Sequence, residues 1–270
     1  MGDKLTKLES ILTGLGSAAL GFSGGVDSTF LLSVAQKILR EKCLAVIVNS
    51  AVYPADEFKF ALNFIVSRNI RHEVKDVDIF QVPHFSDNPS DRCYHCKLAV
   101  FQVIKDTADE AGIANIIDGT NIDDLSDHRP GIKALGELAV RNPLKEAGFS
   151  KAEIRELSRE MEIPGWYRPS NACLASRIPY GERIDHDKLA AVAEAESLLR
   201  SLGFSGFRVR HHGAIARIEF SSVEDIELIL RKYRDQIIAS FKDLGFKYTA
   251  VDLAGYRMGS LNEAIEHKRH

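Results

Sequence analysis

Hydrophobic positions change their period along the chain, and the period separates one kind of element from another. Short β-rich apolar runs at 17–22, 43–50, 72–79 and 115–120 alternate with stretches in which apolar residues recur every three to four positions, up to about 40, from 55 to 68 and around 97–111. Strands separated by helices predict a parallel sheet covered on both faces. Residues 121–148 read as loop-rich. A helix then opens after Ser150, where Ser-x-x-Glu to Glu153 has the spacing of a capping box, and stops at Pro164.

Residues 166–184 are punctuated by proline and glycine and show little period, which marks an ordered connector. Beyond it the order becomes helix (186–202), strand (206–211), strand (214–220), helix (222–241) and strand (247–254). The expected fold is α/β: a doubly wound parallel sheet over residues 1–170 and a second, smaller α/β domain over 171–270 that carries the connector. The boundary falls within 165–185.

A chain of 270 residues, 45% of them hydrophobic, is long enough for two modest domains with their own cores. Lysine and arginine (35) nearly balance aspartate and glutamate (38), so bulk charge predicts neither a nucleic-acid coat nor a membrane-surface binder. Any anion site must be local. No apolar run reaches the length of a membrane span, and Asp3 and Glu9 argue against a signal peptide, which makes the cytoplasm the expected compartment. The four cysteines, Cys43, Cys93, Cys96 and Cys173, are too few and too unevenly spaced for a disulfide framework. Cys43 opens an apolar strand and reads as core.

The run Ser-Gly-Gly-Val-Asp-Ser (23–28) stands between the first strand and its helix. A helix beginning there presents unpaired N–H groups and the positive end of its dipole to whatever occupies the loop. Gly24 and Gly25 let an anion approach the backbone, and the Ser23 and Ser28 hydroxyls add donors, a combination suited to a di- or triphosphate. The plainer alternative is a tight turn with incidental glycines. The run is not a Walker A loop, having no Gly-Lys-Ser/Thr, and it lacks the three spaced glycines of a dinucleotide fingerprint. A second polar stretch, Asp-Gly-Thr-Asn-Ile-Asp-Asp (118–124), follows the strand at 115–120, at the edge where open α/β sheets bind ligands. Within it Asp123 and Asp124 read more simply as turn and cap residues than Asn121 does.

Ser-Gly-Gly-x-Asp-Ser after a first strand resembles the pyrophosphate loop of the ATP pyrophosphatases, enzymes of adenine nucleotide alpha hydrolase-like fold that split ATP into AMP and pyrophosphate. The resemblance implies that Ser23, Gly24, Gly25, Asp27 and Ser28 surround the leaving pyrophosphate, with Asp27 near magnesium. It also implies that Gly119 and Asn121 face the nucleotide.

Cys173 lies in the connector with Arg168 and Arg177 close in sequence. Cationic neighbours raise the thiolate fraction, whereas a lone cysteine also serves as a small buried hydrophobe. Four motifs are decisive together: Cys-Leu-Ala-Ser-Arg-Ile-Pro-Tyr-Gly (173–181), Asp-Arg-Cys-Tyr-His-Cys-Lys (91–97), Asp-x-Arg-Pro-Gly (127–131) and Gly-Tyr-Arg-Met-Gly-Ser-Leu-Asn (255–262). They resemble LarE, the ATP-dependent sacrificial sulfur transferases that help to make the nickel-pincer nucleotide cofactor of lactate racemase, and the resemblance covers essentially the whole chain. It implies adenylylation of a carboxylate of pyridinium-3,5-biscarboxylic acid mononucleotide and its conversion to a thiocarboxylate with the sulfur of Cys173. Ser176, Arg177 and Asp27 would join Cys173 as catalytic residues, with ATP and Mg2+ as cofactors. LarE-like proteins with an iron-sulfur cluster hold it through three clustered cysteines; this connector has one, so no cluster is expected. Cys93-x-x-Cys96 fits helix-start packing, with a mixed site including His72, His84 or His95 as the alternative.

Residues 207–220 can be drawn as a hairpin turning at His212-Gly213, with Arg208, Arg210, Arg217 and Glu219 on one face and Arg208 opposite Arg217. Like charges across a ladder call for an anion over them, and phosphate matches guanidinium in bidentate geometry. The alternative is a solvated face on which Glu219 neutralises one arginine. The LarE resemblance implies that Arg208, Arg210 and Arg257 hold the substrate phosphate, that Glu196 and Glu219 join Asp27 as metal ligands, and that the protein is a homo-oligomer acting on a small nucleotide, with neither nucleic acid nor membrane as partner. The rival readings are a tRNA thiolase, an ammonia-dependent synthetase and a non-catalytic adenine-nucleotide sensor.

Overall fold

A computed structural model of the chain describes residues 2–125, 130–168 and 173–257. It separates into two compact units, Met1–Pro83 with Asp91–Asn171 and His84–Ser90 with Ala172–His270. Hydrophobic patterning alone leaves 84–90 with the first domain, but in the structure this segment belongs to the second unit. Asn88 explains why. Its fully buried amide donates to the carbonyls of Ile178 (3.3 Å), Pro179 (2.7 Å) and Glu182 (3.0 Å), and its own carbonyl accepts the Gly181 N–H at 2.9 Å. A buried amide keeps its position when its donors are satisfied, and here the acceptors lie in the connector.

The first unit is built on four parallel strands, β1 (Ala18–Gly21), β2 (Cys43–Asn49), β3 (His72–Asp76) and β4 (Ile116–Ile117), in the order β3-β2-β1-β4. Alternation along the strands divides the core in two. Ala18, Leu20, Cys43, Ala45 and Ile47 pack with Leu8 and Leu12 of α1 (Gly2–Leu15), Phe30 and Leu31 of α2 (Val26–Leu39), Phe64 and Ile65 of α3 (Ala55–Ser67), and Ile154 and Leu157 of α7 (Lys151–Glu160). Ala19, Leu44, Val46 and Val48 face the other way, onto Val100, Phe101 and Ile104 of α4 (Arg92–Glu110) and Leu135 of α5 (Pro130–Glu137). Cys43 is core as expected, and burial pushes its thiol pKa up to about 12.

Three helices depart from the sequence pattern. α1 precedes the first strand, and α5 and the five-residue α6 (Pro143–Ala147) interrupt the stretch expected to be loop-rich. α6 is too short for a period to show, but Pro143 opens it and Gly148, at φ +84°, closes it, the terminal residues that helices favour. The capping box of α7 is present in both directions: Ser150 Oγ accepts the Glu153 N–H and Glu153 accepts the Ser150 N–H.

The second unit contains α8 (His186–Ser201), β5 (Phe207–His212), β6 (Ile215–Phe220), α9 (Val223–Leu228), a π turn over Ile229–Tyr233, α10 (Arg234–Asp243) and β7 (Tyr248–Val251). β5 and β6 are antiparallel, and β7 joins β6 in parallel. Phe207, Val209, Ile218 and Phe220 cover Ala195 and Leu199 of α8 and Ile237 and Phe241 of α10. The hairpin register differs from the expected one. Arg208 faces Glu219, and it is Arg210 that faces Arg217, because the two-residue turn is Gly213-Ala214. Such a turn needs a left-handed first residue, and Gly213 supplies it at φ +58°. Among the described residues no helix is long and apolar enough to cross a membrane.

Candidate active site

Strand order reverses at β1: the chain passes from β1 to β2 and β3 on one side and returns to place β4 on the other. In a parallel α/β sheet this switch point opens a crevice at the carboxyl ends of the two strands. The glycine loop leaves β1 there and the 118–124 stretch leaves β4. Gly24 is left-handed at φ +73°, and a Cβ on it would stand 3.0 Å from that of Ala61. Gly25 caps α2 without any side-chain hydrogen bond, so the first-turn amides keep their outward direction. The loop holds its own shape through Ser23 Oγ and Ser28 Oγ at 3.1 Å, and through Ser28 and Thr29 hydroxyls donating to the Gly25 carbonyl at 3.0 and 2.8 Å.

Gly119 closes the crevice from the β4 side. Any Cβ there would meet the Ser28 backbone nitrogen at 3.0 Å, so only glycine allows this turn to lie directly on the start of α2. Next to it Asn121 is fully buried; its Oδ1 accepts the Asp123 N–H at 2.9 Å, while its Nδ2 has no partner. Asp123 and Asp124 do serve as turn and cap groups, accepting the N–H of Lys151 (2.8 Å) and of Asn121 (3.0 Å). Asp118 is buried, which would raise its pKa, but Lys97 at 3.2 Å and the Thr120 hydroxyl and N–H hold it below the usual carboxylate value.

Asp27, in the first turn of α2, binds Lys151 Nζ through Oδ2 at 3.0 Å, and its Oδ1 is buried without a donor. Burial raises its pKa against the opposing charge of Lys151. A carboxylate oxygen left without a donor is a suitable ligand for a hard cation such as magnesium, which takes oxygen ligands. Lys151 and Lys97 escape sequence reasoning because each joins the site across more than twenty residues of chain, with no local spacing to announce it.

In the second unit Cys173 precedes a 3₁₀ turn over Leu174–Arg177. Arg177, 1% exposed, donates Nε and Nη2 to the two oxygens of Glu196 at 2.8 and 3.1 Å. Its charge is therefore paired with Glu196. Arg168 belongs to the first unit, where it binds Glu57 at 2.6 Å and covers the Phe60 ring at 4.1 Å. Residues 169–172 of the connector lie outside the described residues, as do 127–129 and 258–262 of two of the motifs.

Most of the basic face of the hairpin is buried: Arg208, Arg210 and Glu219 are covered, while Arg217 is half-buried. Glu219 accepts from Arg210 at 2.8 Å and from Arg217 at 2.9 Å, and Arg217 also pairs with Asp252 at 3.5 Å. Arg210 further donates to the Ser176 carbonyl at 2.8 Å, which ties the sheet to the Cys173 turn. Arg208 donates to the Phe207 carbonyl and lies 4.8 Å above the Tyr256 ring; burial and the neighbouring Arg177 lower its pKa. Exposed Arg257 follows directly.

Glu196 and Glu219, two of the three carboxylates expected as metal ligands, are hydrogen-bonded by arginines. Both oxygens of Glu196 accept from Arg177, one of them also from the Val209 N–H, and both oxygens of Glu219 accept from arginine. Burial alone would raise the Glu196 pKa, but Arg177 and these hydrogen bonds hold it low. Among the described residues no group of three or more His, Cys, Asp or Glu is arranged to hold a metal. Cys93 and Cys96 sit in the first turns of α4, where His95 pairs with Asp91 at 3.5 Å, and none of the four cysteines is in a disulfide.

A parallel sheet with a glycine loop and a second polar turn meeting at its switch point is the arrangement of a ligand-binding α/β protein with an anion site on the loop. The family model for NAD synthase matches residues 7–97, which contain the loop. Over 262 residues the chain is 36% identical to an uncharacterized protein of Synechocystis sp., covering 97% of this chain and 98% of that one. It is 34% identical to the pyridinium-3,5-bisthiocarboxylic acid mononucleotide synthase of Lactiplantibacillus plantarum, covering 98% and 96%. An uncharacterized protein of Methanocaldococcus jannaschii is 27% identical over 88% of this chain and 90% of its own. The chain belongs to the family of the mononucleotide synthase, the LarE family.

Proposed function

We propose that this protein is an ATP-dependent sulfur transferase that adenylylates a carboxylate of pyridinium-3,5-biscarboxylic acid mononucleotide and replaces one of its oxygens with the sulfur of Cys173. The observation that carries this reading is the switch-point loop with the donorless Oδ1 of Asp27, in a chain that matches the L. plantarum synthase from end to end.

A carboxylate has no useful leaving group, and adenylylation supplies AMP. The first-turn amides of α2 and the Ser23 and Ser28 hydroxyls are suited to hold the β- and γ-phosphates, and Asn121 Nδ2 to donate to the nucleotide. Magnesium held by Asp27 would spread the charge of the departing pyrophosphate. The Cys173 thiolate then displaces AMP to form a thioester. Loss of the Cys173 α-proton breaks the Cβ–Sγ bond, releases the thiocarboxylate and leaves dehydroalanine, so each chain acts once.

The three buried arginines of the second unit, Arg177, Arg208 and Arg210, outnumber the buried Glu196 and Glu219, and the surplus positive charge suits the phosphate of the mononucleotide. Arg208, Arg210 and Arg257 are assigned to it. Homo-oligomerisation is proposed on the same family grounds.

Pyrophosphate release in a single turnover tests the reading. Release that requires the pyridinium mononucleotide and stops near one equivalent per chain supports it. Release driven instead by tRNA or ammonia would move the protein to the thiolases or synthetases, and nucleotide binding without release would make it a sensor.

A further inference from the structure

The carbonyl oxygen of Cys173 is more heavily solvated by the protein than a turn requires. A 3₁₀ turn supplies one bond, the Ser176 N–H at 2.9 Å. Two more donors are added: the Ser176 hydroxyl at 2.7 Å and Arg177 Nη1 at 3.4 Å. Arg177 Nη1 also donates to that hydroxyl at 2.9 Å, which polarises it toward the carbonyl. The guanidinium is not there by chance of surface flexibility. It is 1% exposed and fixed by Glu196, itself 2% exposed and anchored by the Val209 N–H at 3.1 Å, while Arg210 holds the Ser176 carbonyl from the far side. Burying a cation and its counterion at this depth is costly, and here it sets a charged donor on one peptide oxygen.

We propose that this turn is an oxyanion hole for the peptide carbonyl of Cys173 itself. The assignment rests on the sulfur-donor reading above and makes Ser176 and Arg177 catalytic in the elimination half of the reaction. When a general base takes the Cys173 α-proton, the Cα–H electron pair moves into the Cα–C bond and negative charge collects on the Cys173 oxygen as an enolate. The pair then returns to form Cα=Cβ, the Cβ–Sγ bond breaks, and the thiocarboxylate leaves with the sulfur electrons. No oxidant or reductant enters. The α-proton of a peptide is very weakly acidic, and donors at 2.7 and 2.9 Å from the oxygen that becomes anionic are placed where they lower that barrier.

The test follows decay of the Cys173 thioester adduct to dehydroalanine by intact-protein mass spectrometry, timed from the adduct's peak so that its rate of formation does not enter. Ser176→Ala should slow the decay on the order of a hundredfold, the usual worth of one such donor, and Ser176→Thr, which keeps the hydroxyl, should restore most of the rate. Adduct decay at the wild-type rate in S176A, or S176T as slow as S176A, overturns the proposal. A measurement on the wild-type protein needs no substrate: cyanylate the cysteines, raise the pH and map the products. S-cyano-Cys173 should eliminate thiocyanate to dehydroalanine faster than S-cyano-Cys93 and S-cyano-Cys96 in the folded chain, with the difference erased by urea. Equal rates in the folded chain overturn the hole. If wild-type protein forms no thioester with the mononucleotide, the sulfur-donor reading fails, while the cyanylation result still decides whether the carbonyl is activated.

Discussion

The buried carboxylate at the loop of the first unit and those beneath the hairpin of the second are partnered in opposite ways. At the switch point of the first, Asp27 Oδ1 and Asn121 Nδ2 are buried and left without partners. In the second, the carboxylates of Glu196 and Glu219 are saturated by arginines and a backbone amide. An unpaired buried polar atom costs stability and is retained where a ligand completes it; a carboxylate saturated by ion pairs costs desolvation and returns fixed geometry. The first unit is thus arranged to receive, and the second to hold the Cys173 turn in one conformation.

The contrast breaks most visibly at Glu196. Glu196→Ala leaves Arg177 buried and uncompensated and should destabilise the protein by about 3–5 kcal/mol in urea denaturation, with Arg177→Met in the same chain recovering a large part of it. Asp27→Asn should do the reverse: pyrophosphate release falls on the order of a hundredfold while the denaturation midpoint stays near wild type, because the substitution removes a charge that burial disfavours. Equal stability loss in both variants would erase the distinction. Gly24→Ala is next, since φ +73° and the approach to Ala61 should together cost about 1–3 kcal/mol and weaken the thermal shift given by ATP with magnesium.

The smallest effect concerns the α7 cap. Lys4 and the Ser150 N–H and hydroxyl hold the Glu153 pKa down to about 2. A carboxylate depressed by folding stabilises above its unfolded pKa, so its contribution is present at neutral pH and is lost as pH falls from the unfolded value of 4.5 toward 2. Ser150→Ala should cost about 1 kcal/mol at pH 7 and flatten this acid limb of the stability curve.

Much of the sheet is legible in the sequence because parallel strands buried on both faces leave strong apolar runs, as in β2, and because glycine positions such as Gly24 and Gly119 answer to local sterics. The loop and the polar stretch after β4 carry their spacing in the chain. What escapes is tertiary. Asn88 moves its segment into the second unit through carbonyls some ninety residues away, Lys151 reaches Asp27 over a longer span still, and the hairpin register turns on which residue of a two-residue turn is glycine. The arginine face of 207–220 is correctly placed on one side of the strands, but alternation alone does not tell a buried ionic face from a solvated one. The pairing of Arg177 with Glu196 across nineteen residues likewise has no local signature.

The central claim is that Cys173 gives up its own sulfur. The most direct measurement is intact-protein mass after incubation with ATP, magnesium and the pyridinium dicarboxylate mononucleotide, with peptide mapping across 170–184. The account predicts loss of the elements of hydrogen sulfide at Cys173, one per chain, matched by one thiocarboxylate. Thiocarboxylate formed over repeated turnovers with the Cys173 thiol intact would contradict it and would assign the sulfur to an external donor.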